Sequence, residues 1–115
     1  MNSNALSLLL HLAPDDTEPV REQIVRQLRD RIARGEIEAG KSLPGHRQLA
    51  RQYRVAPSTV EAAYEVLVTD GLLTGAPADE VRVAELAPER RRDLVEGLQL
   101  EALVARELGR RELEM

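Results

Sequence analysis

A mainly α fold with one small β-hairpin is the class this sequence predicts, and three observations carry it. Between Leu43 and Leu73 two short apolar-periodic segments flank Arg54-Val55-Ala56, the pattern of a helix-turn-helix. Two short strand-like runs, Leu72-Leu73-Thr74 and Val81-Arg82-Val83, then enclose Gly75-Ala76-Pro77-Ala78-Asp79-Glu80, a plausible hairpin loop. From Pro88 a new helical pattern begins, with Glu89 in its first turn. Three helices followed by a hairpin make a winged helix-turn-helix. We assign it to 1–84, with an N-terminal strap over 1–17, and read 85–115 as a C-terminal helical segment.

Each element has its own justification. Residues 4–12 (NALSLLLHL) are apolar enough for an edge strand or a strap over the core, and Pro14-Asp15-Asp16-Thr17 form a turn cluster. A helix is predicted from Glu18 or Pro19 to Arg34, because Val20, Ile24, Leu28 and Ile32 recur on one face. Its other face is dense in charge and reads as a solvated surface with i,i+4 pairs such as Glu22 with Arg26. Gly35 ends it. Ile37 and Leu43 bracket a turn containing Gly40, and Pro44-Gly45 leads into a helix marked by Leu49, Ala50 and Tyr53. In the next helix Val60, Ala63, Tyr64, Leu67 and Val68 form one stripe of 3.6-residue period, Pro57 occupies a tolerated first position, and Gly71 supplies the left-handed stop.

The last helix is expected to run to about Leu108, with Gly109 as its stop. Leu94, Val95, Leu98, Ala102 and Ala105 lie on an apolar stripe that Leu100, Leu103, Val104 and Leu108 widen. So wide a face exceeds what one neighbouring surface covers. We read it as a dimerisation face; the alternative is that it folds back on its own domain.

Composition narrows the function classes. With 115 residues the chain holds one small domain, or one plus an appended element. Aromatics are 2% and Phe and Trp are absent, so the core is aliphatic and no stacking platform for single-stranded nucleic acid exists. Absence of cysteine excludes disulfides and thiolate metal sites. His11 and His46 are far apart with no ligand motif, so neither a metal nor a cofactor is assigned, and His46 reads as a surface residue. No nucleophile–base pair or phosphate loop is present, which argues against an enzyme. The run Ala5 to Ala13 is too short to span a bilayer. Together these features fit a cytoplasmic protein without a membrane partner. The net charge of −4 counts against a general nucleic-acid binder, yet the motif has a slight local positive excess, with Lys41, Arg47, Arg51 and Arg54 against Glu61, Glu65 and Asp70.

Several spaced motifs agree at once with a known family. Glu22-Gln23-Ile24, Gly35-Glu36-Ile37-Glu38-Ala39-Gly40-Lys41, Leu43-Pro44-Gly45-His46-Arg47-Gln48-Leu49-Ala50, Val55-Ala56-Pro57-Ser58-Thr59-Val60, Ala63-Tyr64 and Asp70-Gly71-Leu72 resemble the GntR family of winged-helix transcriptional regulators. Pro57 and the short C-terminal segment resemble its YtrA-type branch, which has helices for dimerisation and no large effector domain. The resemblance implies a homodimer that binds double-stranded DNA as a repressor on a two-fold symmetric operator, with no obvious small-molecule effector. It places Arg47 at the position of the family's contact arginine. Ser58 and Thr59, in the first turn of the second helix, are candidate donors to phosphate or bases. Lys41 and Arg51 are candidate phosphate neighbours, and His46, Pro57, Glu61 and Ala62 complete the candidate DNA face. A carboxylate such as Glu61 is able to accept from cytosine N4, although it repels phosphates.

Three departures from the family pattern stand out. Gly45 replaces the usual serine. Ala56 replaces a capping residue, at a cost to the helix of ~1 kcal/mol. The loop after Gly75 is acidic where the family has further glycine. Ala56 and the acidic wing favour an alternative: a degenerate winged helix that acts through protein contacts with weak or no DNA binding.

Overall fold

The computed structural model describes residues 10–100. Its elements are α1 (Val20–Ala33), α2 (His46–Tyr53), α3 (Pro57–Thr69), β1 (Leu73–Gly75) and β2 (Val81–Val83). A fourth helix, α4, occupies 88–100. The expected fold class is present: a winged helix-turn-helix followed by a helix. α3 is the central element, packed on α1 from one side and α2 from the other.

The apolar periodicities bury as they must for a core to form. Ile24, Leu28 and Ile32 of α1 are at most 1% exposed, and Val60, Ala63, Tyr64 and Leu67 of α3 are fully buried. Val20 and Val68, at the ends of their stripes, pack against the core partly exposed. The Tyr64 hydroxyl donates to the Pro44 carbonyl at 2.7 Å. That bond satisfies a buried polar pair and pins the entry of α2 to α3, while burial pushes the phenol well above its ordinary pKa. α3 ends in a Schellman turn: Leu72 N–H donates to the Leu67 carbonyl and Gly71 N–H to the Val68 carbonyl, with Gly71 at φ +81°.

The wing is larger than the hairpin read from sequence. β1 and β2 pair antiparallel with Leu73 opposite Val83, Thr74 opposite Arg82 and Gly75 opposite Val81. The segment before α2, expected to be only a turn, adds a third edge. Ser42 bridges Arg82, Leu43 N–H donates to the Val81 carbonyl, and Val83 N–H donates to the Lys41 carbonyl. Gly75, at φ +109°, lets the hairpin close, since a Cβ there would lie 2.2 Å from the Glu80 carbonyl oxygen.

Among the described part of the amino-terminal run, residues 10–12 form a strap, not a strand. Leu10 is buried, and its N–H donates to the Tyr53 hydroxyl at 2.7 Å. Two glutamines of α1, one turn apart, grip the strap's backbone. Gln23 accepts from Ala13 N–H and donates to the Ala13 carbonyl; Gln27 does the same to His11. Each side-chain amide thus plays the part of a β-sheet partner to the backbone of His11 and Ala13. Gln23, 2% exposed, spends its remaining donor on the Glu18 carbonyl.

The charged face of α1 differs in detail from expectation. Arg26 pairs with Glu18, which reaches forward from the turn before the helix, and Glu22 pairs with Arg21 instead of Arg26. Asp30–Arg34 is an i,i+4 pair there. α4 returns to the domain: Arg90 donates to the Asp70 carbonyl, and Leu94 packs against the core. Val95 and Leu98 are half-buried and Leu100 is 61% exposed. Ala102, Ala105 and Leu108 lie outside the described residues. No helix among the described residues is long and apolar enough to cross a membrane.

Candidate nucleic-acid interface

The interface is built from what the core leaves outside. With Val60, Ala63, Tyr64 and Leu67 turned inward, helical geometry turns Ser58, Ala62, Glu65 and Thr69 outward. Glu61 stands at the edge of that face, towards α2. Ser58, Glu65 and Thr69 are exposed, while Glu61 and Ala62 are half-buried. α3 carries no Lys or Arg. At its start Ala56 has the extended backbone of a cap residue but gives no side-chain cap; Thr59 N–H donates to the Ala56 carbonyl at 3.0 Å. The cap reading made from sequence is therefore what the backbone shows.

Positive charge lies on α2 instead. Arg47, Arg51 and Arg54 follow one another at i, i+4 and i+7 and all three are exposed. Among the described residues none of them has a carboxylate partner, whereas Arg21, Arg26, Arg29, Arg34 and Arg82 are each paired. A guanidinium without an intramolecular partner keeps its donors free for phosphate or base edges. Arg47 and Arg51 line a groove of about 310 Å³ together with Pro57 at the start of α3. Arg47 also lines a second groove, of about 260 Å³, shared with His46, Gln48 and the wing residues Ala78 and Asp79. Arg47 thus stands where helix-turn-helix and wing meet.

The candidate residues do not form a single cluster. Arg47, Arg51 and Pro57 share a groove, Ser58 and Ala62 sit on the outward face, and Thr59 is half-buried beside it. Lys41 belongs to the wing's added edge, exposed and without a carboxylate partner among the described residues. His46 is not the open surface residue expected: its side chain is 11% exposed, and its Nε2 lies 3.8 Å from Glu61 Oε1. The two form an ion pair only when the imidazole is protonated.

The sequence places Arg54 in the turn and in the motif's local positive charge, without assigning it to the candidate DNA face. Arg54 caps α2 in the left-handed region at φ +57°, unusual for a residue with a side chain. Its spacing from Arg47 and Arg51 was the available signal. At the wing tip Glu80 is held by the Ser42 hydroxyl at 2.8 Å and by Arg82, whereas Asp79 has no ion-pair partner among the described residues. No group of side chains suited to a metal ion occurs among the described residues.

Residues 20–83 match the family model described as bacterial regulatory proteins, gntR family. The chain is 37% identical over 59 residues to the uncharacterized HTH-type transcriptional regulator YdeL of Bacillus subtilis, covering 51% of this chain and 13% of that protein. It is 31% identical over 65 residues to the HTH-type transcriptional repressor YtrA of the same organism, covering 56% and 50% respectively. The chain therefore spans at most about half the length of these curated relatives. Among solved structures, a GntR family transcriptional regulator from Listeria monocytogenes superposes with a TM-score of 0.64 at 27% identity, over 84% of this chain and 82% of that one. YtrA from Sulfolobus acidocaldarius gives 0.62 at 28%, over 84% of each. The AraR DNA-binding domain in complex with operator ORE1 gives 0.54 at 25%, over 70% of this chain and 96% of that one.

Proposed function

Because this chain belongs to the gntR family of bacterial regulatory proteins, we propose that it binds double-stranded DNA sequence-specifically and regulates transcription, as a homodimeric repressor on a two-fold symmetric operator. The observation that carries this reading is the separation of charge. α1 neutralises most of its arginines internally, while Arg47, Arg51 and Arg54 on the helix-turn-helix keep theirs unpaired beside the outward face of α3. In this motif the first helix crosses the phosphate backbone and the second enters the major groove. The arginines are therefore on the helix that needs them. The AraR domain, bound to its operator, shares the fold, and YtrA of Bacillus subtilis is a repressor. The apolar surface that α4 leaves outside, including exposed Leu100, supports a second copy as its partner, since two half-sites require two recognition helices.

Selection from random duplex DNA by the purified full chain tests this, at low and at physiological salt. A two-fold symmetric sequence that survives physiological salt is the expected result. Arg47→Ala is expected to weaken binding to it by roughly tenfold or more and to leave the oligomeric state unchanged. Enrichment that is indifferent to sequence and vanishes as salt rises would reduce the binding to electrostatics. A second reading draws on one observation, the unpaired Asp79 at the wing tip beside Arg47. A folded protein that enriches no duplex at all would make the wing a protein-contact surface instead.

A further inference from the structure

The outward face of α3 presents hydroxyl, methyl and carboxylate groups and no cation. In the major groove guanine shows only acceptors, at N7 and O6, whereas cytosine shows the N4 amino donor. A helix whose only ionised groups are carboxylates is therefore matched to a donor edge and repelled by an acceptor edge. Adenine's amino group is flanked by the N7 acceptor, so a carboxylate favours cytosine over it.

Two carboxylates compete for this role. Glu65 is exposed and a turn farther along. Glu61 lies nearer the amino end of α3, the end that reaches base edges in this motif. It is also more sheltered: its side chain is 38% exposed, against the 11% exposed imidazole of His46. At 3.8 Å that approach is too long for a hydrogen bond, and no other partner engages the carboxylate among the described residues. Glu61 is thus restricted in direction by His46 while its oxygens still have acceptor capacity. A carboxylate placed on a DNA-facing helix costs affinity through phosphate repulsion unless a base donor offsets it.

We propose that Glu61 is a specificity-determining residue that accepts a hydrogen bond from the N4 amino group of a cytosine in each half-site. This rests on the DNA-binding reading above. Phosphate anchoring and base choice are then divided between helices, with the arginines of α2 supplying the first and Glu61 part of the second.

The test is the same duplex selection run on the full-length parent, Glu61→Gln and Glu61→Asp. The parent is expected to require a cytosine at one position per half-site, with roughly tenfold or greater loss of affinity when that base pair is exchanged. Glu61→Gln replaces one acceptor oxygen by a donor; it should shift that position to adenine, whose N6 and N7 a glutamine engages together, and leave the other positions unchanged. Glu61→Asp keeps the charge but withdraws it by one methylene, so the cytosine requirement should fall while the rest of the site persists. If Glu61→Gln selects the parent's sequence at every position and simply binds all duplexes more tightly, Glu61 is only a phosphate-repelling residue and the proposal is overturned. Failure of the parent to enrich any sequence overturns the DNA-binding reading itself, and the parent arm alone reports that.

Discussion

Tyr64 shows how much one side chain does in a core without Phe or Trp. Its ring is fully buried in the core, and its hydroxyl satisfies the Pro44 carbonyl. Tyr64→Phe leaves that buried carbonyl unpaired and is expected to lower stability by about 1–2 kcal/mol in chemical denaturation. The phenol's pKa is raised in the folded state by burial, so its contribution is complete below the unfolded-state value near 10 and is lost as pH rises above it. Stability should accordingly decline above about pH 10, and less steeply in the Phe variant. Ala56 gives the opposite case, a residue that leaves stability unused. Its backbone, at φ −69° and ψ 135°, already has cap geometry. Ala56→Ser needs no rearrangement to accept a first-turn N–H, and should raise stability by about 1 kcal/mol, read as a higher denaturation midpoint.

At the scale of elements, the three helices were legible because each has an apolar stripe ended by a left-handed residue or followed by a glycine. The wing was legible only in part. Val81-Arg82-Val83 announced one strand, and Leu73 and Thr74 part of the other. The Lys41–Leu43 edge did not, because its pairing with β2 is non-local and a single bridge leaves no alternation to read. The candidate site divides in the same way. Arg47 entered through the family resemblance, and Ser58 through its place in the first turn of α3. The sheltered position of His46 was not legible, since it arises only where α2 meets α3. The left-handed cap at Arg54 was not legible either, because that position is ordinarily a glycine. The wing's charge leads to a prediction of its own. Glu80 is already engaged by Ser42 and Arg82, so the unpaired carboxylate at the tip is Asp79. Asp79→Asn should tighten binding to every duplex by a few-fold at low salt and should leave the selected sequence unchanged.

The whole molecule is a small winged helix closed at two points by segments outside it. At one, α4 is tied through Arg90 to the carbonyl of Asp70, whose carboxylate also holds Arg29 of α1 at 2.7 Å. The end of α3, the charged face of α1 and α4 therefore meet at Asp70. At the other, the strap is gripped by Gln23 and Gln27. Gln23→Ala removes three part-buried hydrogen bonds, leaving the Ala13 N–H and the Glu18 carbonyl without that partner. It should cost roughly 2–3 kcal/mol and release the amides of residues 10–13 to fast hydrogen exchange. That grip has a consequence for how the strap can vary. The glutamines hold only main-chain N–H and C=O groups of His11 and Ala13, and both side chains are exposed. Almost any side chain is therefore compatible at these two places, the exception being proline, which has no N–H to give. In a library of all substitutions, positions 11 and 13 would look neutral and yet refuse one residue, while Gln23, whose amide makes the grip, would tolerate few replacements.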